Sequence, residues 1–378
     1  MRTVGIVAEY NPFHAGHARH IAETGRALGE DCAVVAAMSG NFVQRGDCAL
    51  FDKWRRTKAA LEGGADLVLE LPTVWAVASA ERFAWGAVNI LRAAGAECLS
   101  FGSESGDADG LKALAASLDG PAYDAALREE LAGGASFAAC RQRAAAGLVG
   151  AERAALLAKP NDNLAVEYLR AARRLGWVPE VVAVPRAGAG HDGGNHPDYP
   201  SASYLREQIR AGKPLSEGFA DLRRAERAVL ARLRSMSLSG FEALPDSGEG
   251  LASRLYRAVR RGTSLEEVWT LAKTKRYAHA RLRRMTLWAF LGLTAADVPE
   301  KPPYLRVLGC NERGREVLKR IKKTAPLPIL TKPAHARELD GEGRRLFGLE
   351  ARCTDLYDLC LDPVPAPGRE WTTDPVIL

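Results

Sequence analysis

Within the first hundred residues, four short apolar runs (residues 4–8, 32–38, 67–71 and 98–101) alternate with amphipathic stretches (17–28, 53–62 and 76–94). Each stretch ends near a glycine, Gly29, Gly63 or Gly95, as a left-handed helix cap would. This is the pattern of a parallel α/β sheet, in which strands buried on both faces are apolar throughout and the crossover helices hide one face. Open sheets of this kind bind ligands where strands end and helices begin. No apolar run reaches the ~18 residues that a membrane span requires. Glu9, Pro12 and His14 break the first, which also lacks a small-residue cleavage pattern, and Glu70, Glu81 and Arg82 break later ones. A cytoplasmic protein is therefore expected. Its seven cysteines form no CxxC pair and no zinc-like spacing, so reduced structural thiols are the expectation.

At about 150 residues per domain, 378 residues suggest two or three domains. Residues 107–158 are alanine-rich and wholly helical in pattern, which reads as an insertion. A further strand at 181–184 returns the chain to the sheet. The stretch 186–200, with glycine at 188, 190, 193 and 194, reads as a functional loop or flap. Beyond about residue 210 the chain turns arginine-rich and helical. The division expected is an α/β domain over 1–210 with a helical insertion at about 107–158, followed by a mainly α-helical, basic domain over 211–378. The net charge is only +6, but from Arg254 to Arg284 ten basic residues stand against two acidic ones. Tyr256, Trp269 and Tyr277 are interleaved among them. A basic face with aromatic residues suits RNA, through phosphate contacts and stacking on unpaired bases, with Lys275, Arg276, Arg281, Arg283 and Arg284 as the expected contacts. A merely solvated helix face has the same composition.

The sharpest local signal is His14-Ala15-Gly16-His17, directly after the first strand and at the start of the first helix. Two histidines three residues apart share a helix face, Gly16 lets backbone approach a ligand, and a helix N-terminus favours an anion. Such a site suits nucleotidyl transfer, in which charge builds on the α-phosphate oxygens and positioned donors stabilise it. Ser201, Ser203 and Arg206 offer two hydroxyls and a guanidinium across a possible helix start, a clamp for β- and γ-phosphates that in isolation also reads as a helix cap with a solvated charge. After the second strand, Ser39 and Asn41 are placed for a small substrate, and Arg45 or Lys53 for a phosphate or carboxylate. Asp52 reads either as part of that rim or as a helix cap, and Asp66 as one half of a strand-end ion pair.

The stretch Gly5-Ile6-Val7-Ala8-Glu9-Tyr10-Asn11-Pro12-Phe13-His14-Ala15-Gly16-His17 resembles the signature of the tRNA(Met) cytidine acetate ligases, a branch of the HIGH-type nucleotidyltransferase superfamily. Residues 38–46, 52–53, 64–72 and 79–84 are similar to the blocks that follow, and 159–162, 186–192 and 305–309 to later ones. The resemblance implies a Rossmann-like parallel-sheet nucleotidyltransferase domain. It implies activation of acetate by ATP to acetyl-adenylate, then acetyl transfer to N4 of the wobble cytidine of elongator tRNA(Met). ATP is a substrate, and magnesium its candidate companion with no ligands assigned. By that resemblance ATP contacts come from Val7, Ala8, Glu9, Tyr10, Asn11, Pro12, Phe13, His14, Ala15, Gly16, His17, Ala18, Arg19 and His20, from Gly102, from an asparagine of 161 and 163 (taken as Asn161), and from Arg186. His14, His17 and Lys53 are the expected catalytic residues and Ser39 and Asn41 the acetate contacts. Two other readings stay open on the residues alone: a nucleotidyltransferase that adenylylates a phosphorylated metabolite, and a non-catalytic RNA-binding protein.

Overall fold

A computed structural model describes residues 1–29, 31–186, 201–211 and 218–378. Of the expected flap at 186–200, all but Arg186 lies outside the described residues. The strands are β1 (Arg2–Ala8), β2 (Cys32–Ser39), β3 (Phe42–Val43), β4 (Asp47–Cys48), β5 (Leu67–Leu71), β6 (Cys98–Ser103), β7 (Glu180–Pro185), β8 (Leu305–Cys310), β9 (Ile329–Leu330) and β10 (Val376–Ile377). One sheet runs β10-β8-β5-β2-β1-β6-β7, with β9 paired to β8, while β3 and β4 form a separate hairpin. Strands β5, β2, β1, β6 and β7 are parallel. Chain order therefore reverses between β1 and β6, the switch point at which doubly wound sheets open a crevice at the strands' carboxyl ends.

The apolar runs form these strands because both faces are covered: β2 and β5 are buried along their whole length. Helix Lys53–Glu62 is capped by Asp52, whose side chain accepts from the Arg55 N–H. The stretch expected as one helix over 76–94 is two, Thr73–Ala76 and Ala80–Ala93. Gly29 and Gly95 take positive φ, but Gly63 does not, and Gly64 carries the turn at φ +104°. Asp66 makes no strand-end ion pair of the kind expected. It accepts from the Val34 N–H at 2.8 Å and from Asn311 Nδ2 at 2.9 Å.

Residues 108–158 are helical, from Ala108–Ser117 to the 3-10 turn Ala155–Ala158. The later half carries the helices Glu226–Ser235, Leu251–Val259, Leu265–Ala272 and His279–Leu291, but it also returns to the sheet. β8 pairs antiparallel with β5, Leu67 opposite Cys310, and β9 and β10 pair with β8. The Trp288 indole donates to the Val77 carbonyl at 2.5 Å, pinning helix His279–Leu291 to the first half. Among the described residues no helix is long and apolar enough to cross a membrane.

Candidate active site

β1 ends at Ala8, and the chain turns out of the sheet through Tyr10, a non-glycine residue at φ +47°. That turn delivers His14 to the N-cap of helix Ala15–Leu28, where its Nδ1 accepts from the Gly16 N–H at 3.1 Å. His17 Nδ1 accepts in turn from the His14 N–H at 3.3 Å. Each Nδ1 is an acceptor, so each ring carries its proton on Nε2. Among the described residues neither Nε2–H has a protein partner. The rings stack with centroids 3.8 Å apart. Burial, then the Arg186 and Arg206 charges, push His14 down to about 4. Burial and then the neighbouring His14 hold His17 well below the ordinary histidine value. The pair is thus a neutral, preorganised set of two N–H donors. Gly16 is required for it, because a Cβ there would lie 2.9 Å from His14 Cε1.

Both histidines line a cavity of about 860 Å³ at the switch point. Val7, Ala8, Glu9, Tyr10, Asn11, Gly16, Arg19, His20, Gly102, Asn161, Arg186, Ser201, Ser203 and Arg206 also line it. Pro12, Phe13, Ala15 and Ala18 are not on its wall. Ala15 and Ala18 sit about 100° around the helix from His14 and His17, and Phe13 packs against Tyr10 and His17. His20 Nε2 is spent at 2.9 Å on Ser100 Oγ, which lies 2.6 Å from Thr24 Oγ1. The Thr24 hydroxyl donates to the His20 carbonyl, so the bond between hydroxyls runs from Ser100 to Thr24 and His20 donates to Ser100. His20 thereby fixes the helix to β6. Asn161 Nδ2 donates to Glu104 Oε1 at 2.5 Å, and Asn163, also on the wall, accepts from Arg141 at 3.1 Å.

Arg206 donates to the Asn11 carbonyl at 2.7 Å and to Ser203 Oγ at 3.0 Å, which closes helix Ala202–Arg210 onto the histidine loop. Ser201 caps that helix, accepting from the Tyr204 N–H at 3.1 Å. Glu9 accepts from the Gln44 N–H at 2.7 Å, and burial raises its pKa against the pull of Arg206, Arg45 and Arg56. Seven arginines and three carboxylates line the cavity, so its potential suits a polyanion. Among the described residues no group of three or more His, Cys, Asp or Glu is placed to hold a metal ion. A magnesium site built from side chains is therefore not formed by the described residues.

Lys53, Ser39 and Asn41 do not meet this cavity. Lys53 is 1% exposed, with Nζ 2.6 Å from Glu70 Oε1 and 2.5 Å from Glu370 Oε2. Burial pulls its pKa down, but Glu370 and Glu70 outweigh that and hold it charged. Asn41 is buried, its Oδ1 accepting from the Lys53 N–H at 2.9 Å and its Nδ2 donating to Thr354 Oγ1 at 3.2 Å. Ser39 is buried, and its carbonyl accepts from Arg56 at 3.1 Å. Asn41 and Lys53 hold the C-terminal segment to the sheet, and partners more than 300 residues downstream could not be read from local sequence.

The basic stretch is sorted as well. Trp269 and Tyr277, expected to stack on bases, are buried, and Arg260 covers Tyr256 at 3.3 Å from its ring centre. Lys275 and Arg276 are exposed. Arg281 pairs with Glu249 at 2.9 Å and Arg284 with Asp246 at 3.2 Å. Arg283, Arg284 and His279 reach the cavity wall, as do Asp47 and Arg210, residues that no local motif marked.

A family model described as HIGH Nucleotidyl Transferase matches residues 1–368. The tRNA(Met) cytidine acetate ligase of Thermoanaerobacter sp. (strain X514) is 35% identical over 95% of this chain and 95% of its own length. That of Syntrophomonas wolfei subsp. wolfei is 34% identical over 100% of this chain and 99% of its own. The chain belongs to the tRNA(Met) cytidine acetate ligase family. Thermotoga maritima TmcAL, in its apo crystal form, superposes at a TM-score of 0.93 with 30% identity over the whole of both chains. The same protein bound with alpha-thio ATP superposes at 0.91 with 31% identity, again over both whole chains. Membership thus covers the basic later half as well as the sheet, and the Thermotoga maritima protein holds an ATP analogue in that same fold.

Proposed function

We propose that this chain activates acetate with ATP and transfers the acetyl group to N4 of the wobble cytidine of elongator tRNA(Met). A carboxylate oxygen of acetate attacks the α-phosphorus, the bond to the bridging oxygen breaks, and pyrophosphate leaves. The cytidine amine then attacks the acyl carbon, AMP leaves, and the amine proton passes to solvent or phosphate. The observation that carries this reading is the stacked, neutral His14–His17 pair at a helix N-terminus, with both Nε2–H groups unclaimed among the described residues, in a chain that the family model matches over residues 1–368. Donors fixed in this way act on charge as it develops on the α-phosphate, without needing to accept a proton themselves.

In the same reading Ser203 and Arg206 take the β- and γ-phosphates, Arg186 and Asn161 or Asn163 the remaining nucleotide contacts, and any magnesium arrives with ATP's own oxygens around it. Residues 1–210 supply most of the nucleotide wall, and 211–378 the RNA side. Lys275 and Arg276 offer exposed charge there, and Arg283 meets the RNA where it enters. The test is exchange of labelled pyrophosphate into ATP with acetate and no RNA, followed by transfer of radiolabelled acetate to tRNA(Met) transcripts. Exchange that required a phosphorylated metabolite in place of acetate would install an adenylyltransferase of small molecules instead.

A further inference from the structure

The turn of the β3–β4 hairpin bridges the nucleotide loop and the basic helix. At its root the Gln44 N–H bonds Glu9, and at its tip Gly46, φ +75°, lies against helix His279–Leu291. A Cβ at Gly46 would sit 2.5 Å from the Arg284 backbone nitrogen, so the approach is as close as glycine allows. Asp47, beside that tip, holds Arg210 Nη2 at 3.2 Å and Arg283 Nη2 at 3.6 Å from the same oxygen, Oδ2. Only the Arg210 contact is a hydrogen bond. The Arg283 contact is an ion pair with room to close. Both Nε atoms are buried without a hydrogen-bond partner, although Arg210 Nε also forms an ion pair with Asp221 Oδ2 at 3.8 Å. Two guanidinium groups therefore share one carboxylate on the cavity wall and keep donors to spare.

We propose that Arg210 and Arg283 form a seat for a backbone phosphate of the incoming RNA, and that Asp47 occupies the seat until the RNA arrives. The proposal rests on the reading of RNA as second substrate. Helix Ala202–Arg210 runs along the cavity wall: Arg206 is tied to Asn11 in the histidine loop, and Arg210 lies one turn further on, about 5.4–6 Å along the axis. Arg283 comes from the basic half. Its guanidinium is held over the Trp269 ring at 4.7 Å, and that ring is fixed by a 3.0 Å bond from its Nε1 to Thr286. A flat, preoriented guanidinium is the group that binds phosphate through two parallel hydrogen bonds. Its neighbours Arg281 and Arg284 are committed to Glu249 and Asp246, which leaves Arg283 as the arginine of that triplet that turns to the hairpin.

The experiment compares Arg283→Ala, Arg283→Lys and Asp47→Asn in acetate-dependent pyrophosphate exchange and in tRNA acetylation across salt concentrations. Arg283→Ala is expected to lower kcat/KM for tRNA roughly tenfold more than it lowers exchange, and to reduce the salt slope of tRNA binding by about one. Arg283→Lys is expected to restore the salt slope but only part of the rate. Asp47→Asn keeps the side chain's shape and removes the competing charge, so it is expected to tighten tRNA binding about threefold. A parallel fall of exchange and transfer in Arg283→Ala would give the seat to ATP's terminal phosphate and overturn the proposal. Weaker tRNA binding in Asp47→Asn would make Asp47 a brace rather than a placeholder, and would also overturn it. Wild-type protein that binds RNA with the expected slope but acetylates none would instead refute the acetylation reading and leave the seat standing.

Discussion

The histidine pair after β1 and the lysine–carboxylate cluster at the ends of β2 and β5 stand along the same edge of one sheet, but they leave very different valences open. His14 and His17 use Nδ1 to fix their rings and keep both Nε2–H groups for the cavity. Lys53, Glu70, Glu370 and Arg306 are each no more than 3% exposed, and their charges are spent on one another. Thr354 and Thr73 add hydrogen bonds to Glu370 and Glu350. A titratable group at a strand end is therefore not by itself a functional one. What separates the two regions is access: the atoms left unpaired in the cluster, Arg306 Nε and Nη1 and Glu370 Oε1, are buried, whereas the histidines line the cavity, which suits one region to chemistry and the other to clasping the C-terminal segment.

The comparison breaks first at Lys53. Lys53→Met removes the cation between Glu70 and Glu370 and leaves buried carboxylates uncompensated, which costs about 3–5 kcal/mol. Chemical denaturation should show that loss, while exchange per folded molecule holds. A variant of unchanged stability with exchange abolished would move Lys53 back into the chemistry.

At the histidines the expectation reverses. His17→Ala or His14→Ala should cut acetate-dependent exchange by about 10²-fold or more, roughly 2.7 kcal/mol at 1.36 kcal/mol per tenfold, with ATP binding less affected. Exchange near the wild-type rate in both variants would place the transition-state donors elsewhere.

Gly16→Ala sharpens the same side. Its new methyl would meet His14 Cε1 at 2.9 Å and tilt the ring away from its bond to the residue-16 N–H. A loss of about tenfold in exchange is expected, since misplacing a donor costs less than deleting it. A thermal melt should move little, as the methyl contacts only that cavity-lining ring. Wild-type exchange would show that the ring's position is not critical.

How far the sequence reached follows the same division. The parallel strands were legible because burial on both faces writes itself as an uninterrupted apolar run, and His14-Ala15-Gly16-His17 because its residues work on one another locally. β8 was not, since Arg306 stands inside it and its charge is answered by Glu370, 64 positions on. Asn41 and Lys53 had functional-looking types and position, and only their distant partners, Thr354 and Glu370, reveal the structural use, while Ser39 is buried with its hydroxyl unpaired and its carbonyl bonded by Arg56. Arg210 and Asp47 were missed for the converse reason: neither belongs to a motif, and they matter through each other and through Arg283.

The smallest effect sets the two regions against each other in pH. Burial, followed by the Arg186 charge and for His14 also Arg206, holds His14 and His20 near 4 against an ordinary 6.5. Their share of stability is present above 6.5 and is lost as pH falls toward 4, because the unfolded chain takes up protons that the folded one refuses. Glu350 is displaced the other way, to about 8 from 4.5, by burial and then by the Glu70 charge. Its share is full below 4.5 and is lost as pH rises toward 8. Between 4.5 and 6.5 the two trends oppose each other, so the diagnostic window is 6.5 to 8, where of these three groups only Glu350 still titrates. Denaturant midpoints should fall across that window in wild-type protein and flatten in Glu350→Gln, which can still accept from the Thr73 N–H and donate to its hydroxyl. Below 4.5 the acid limb should be the same in both, and between 4.5 and 6.5 the variant, relieved of the opposing trend, should rise more steeply with pH. An unchanged alkaline fall in Glu350→Gln would show that the clasp does not titrate there, and a break in exchange rate near 6.5 would show that the cavity histidines are not held neutral.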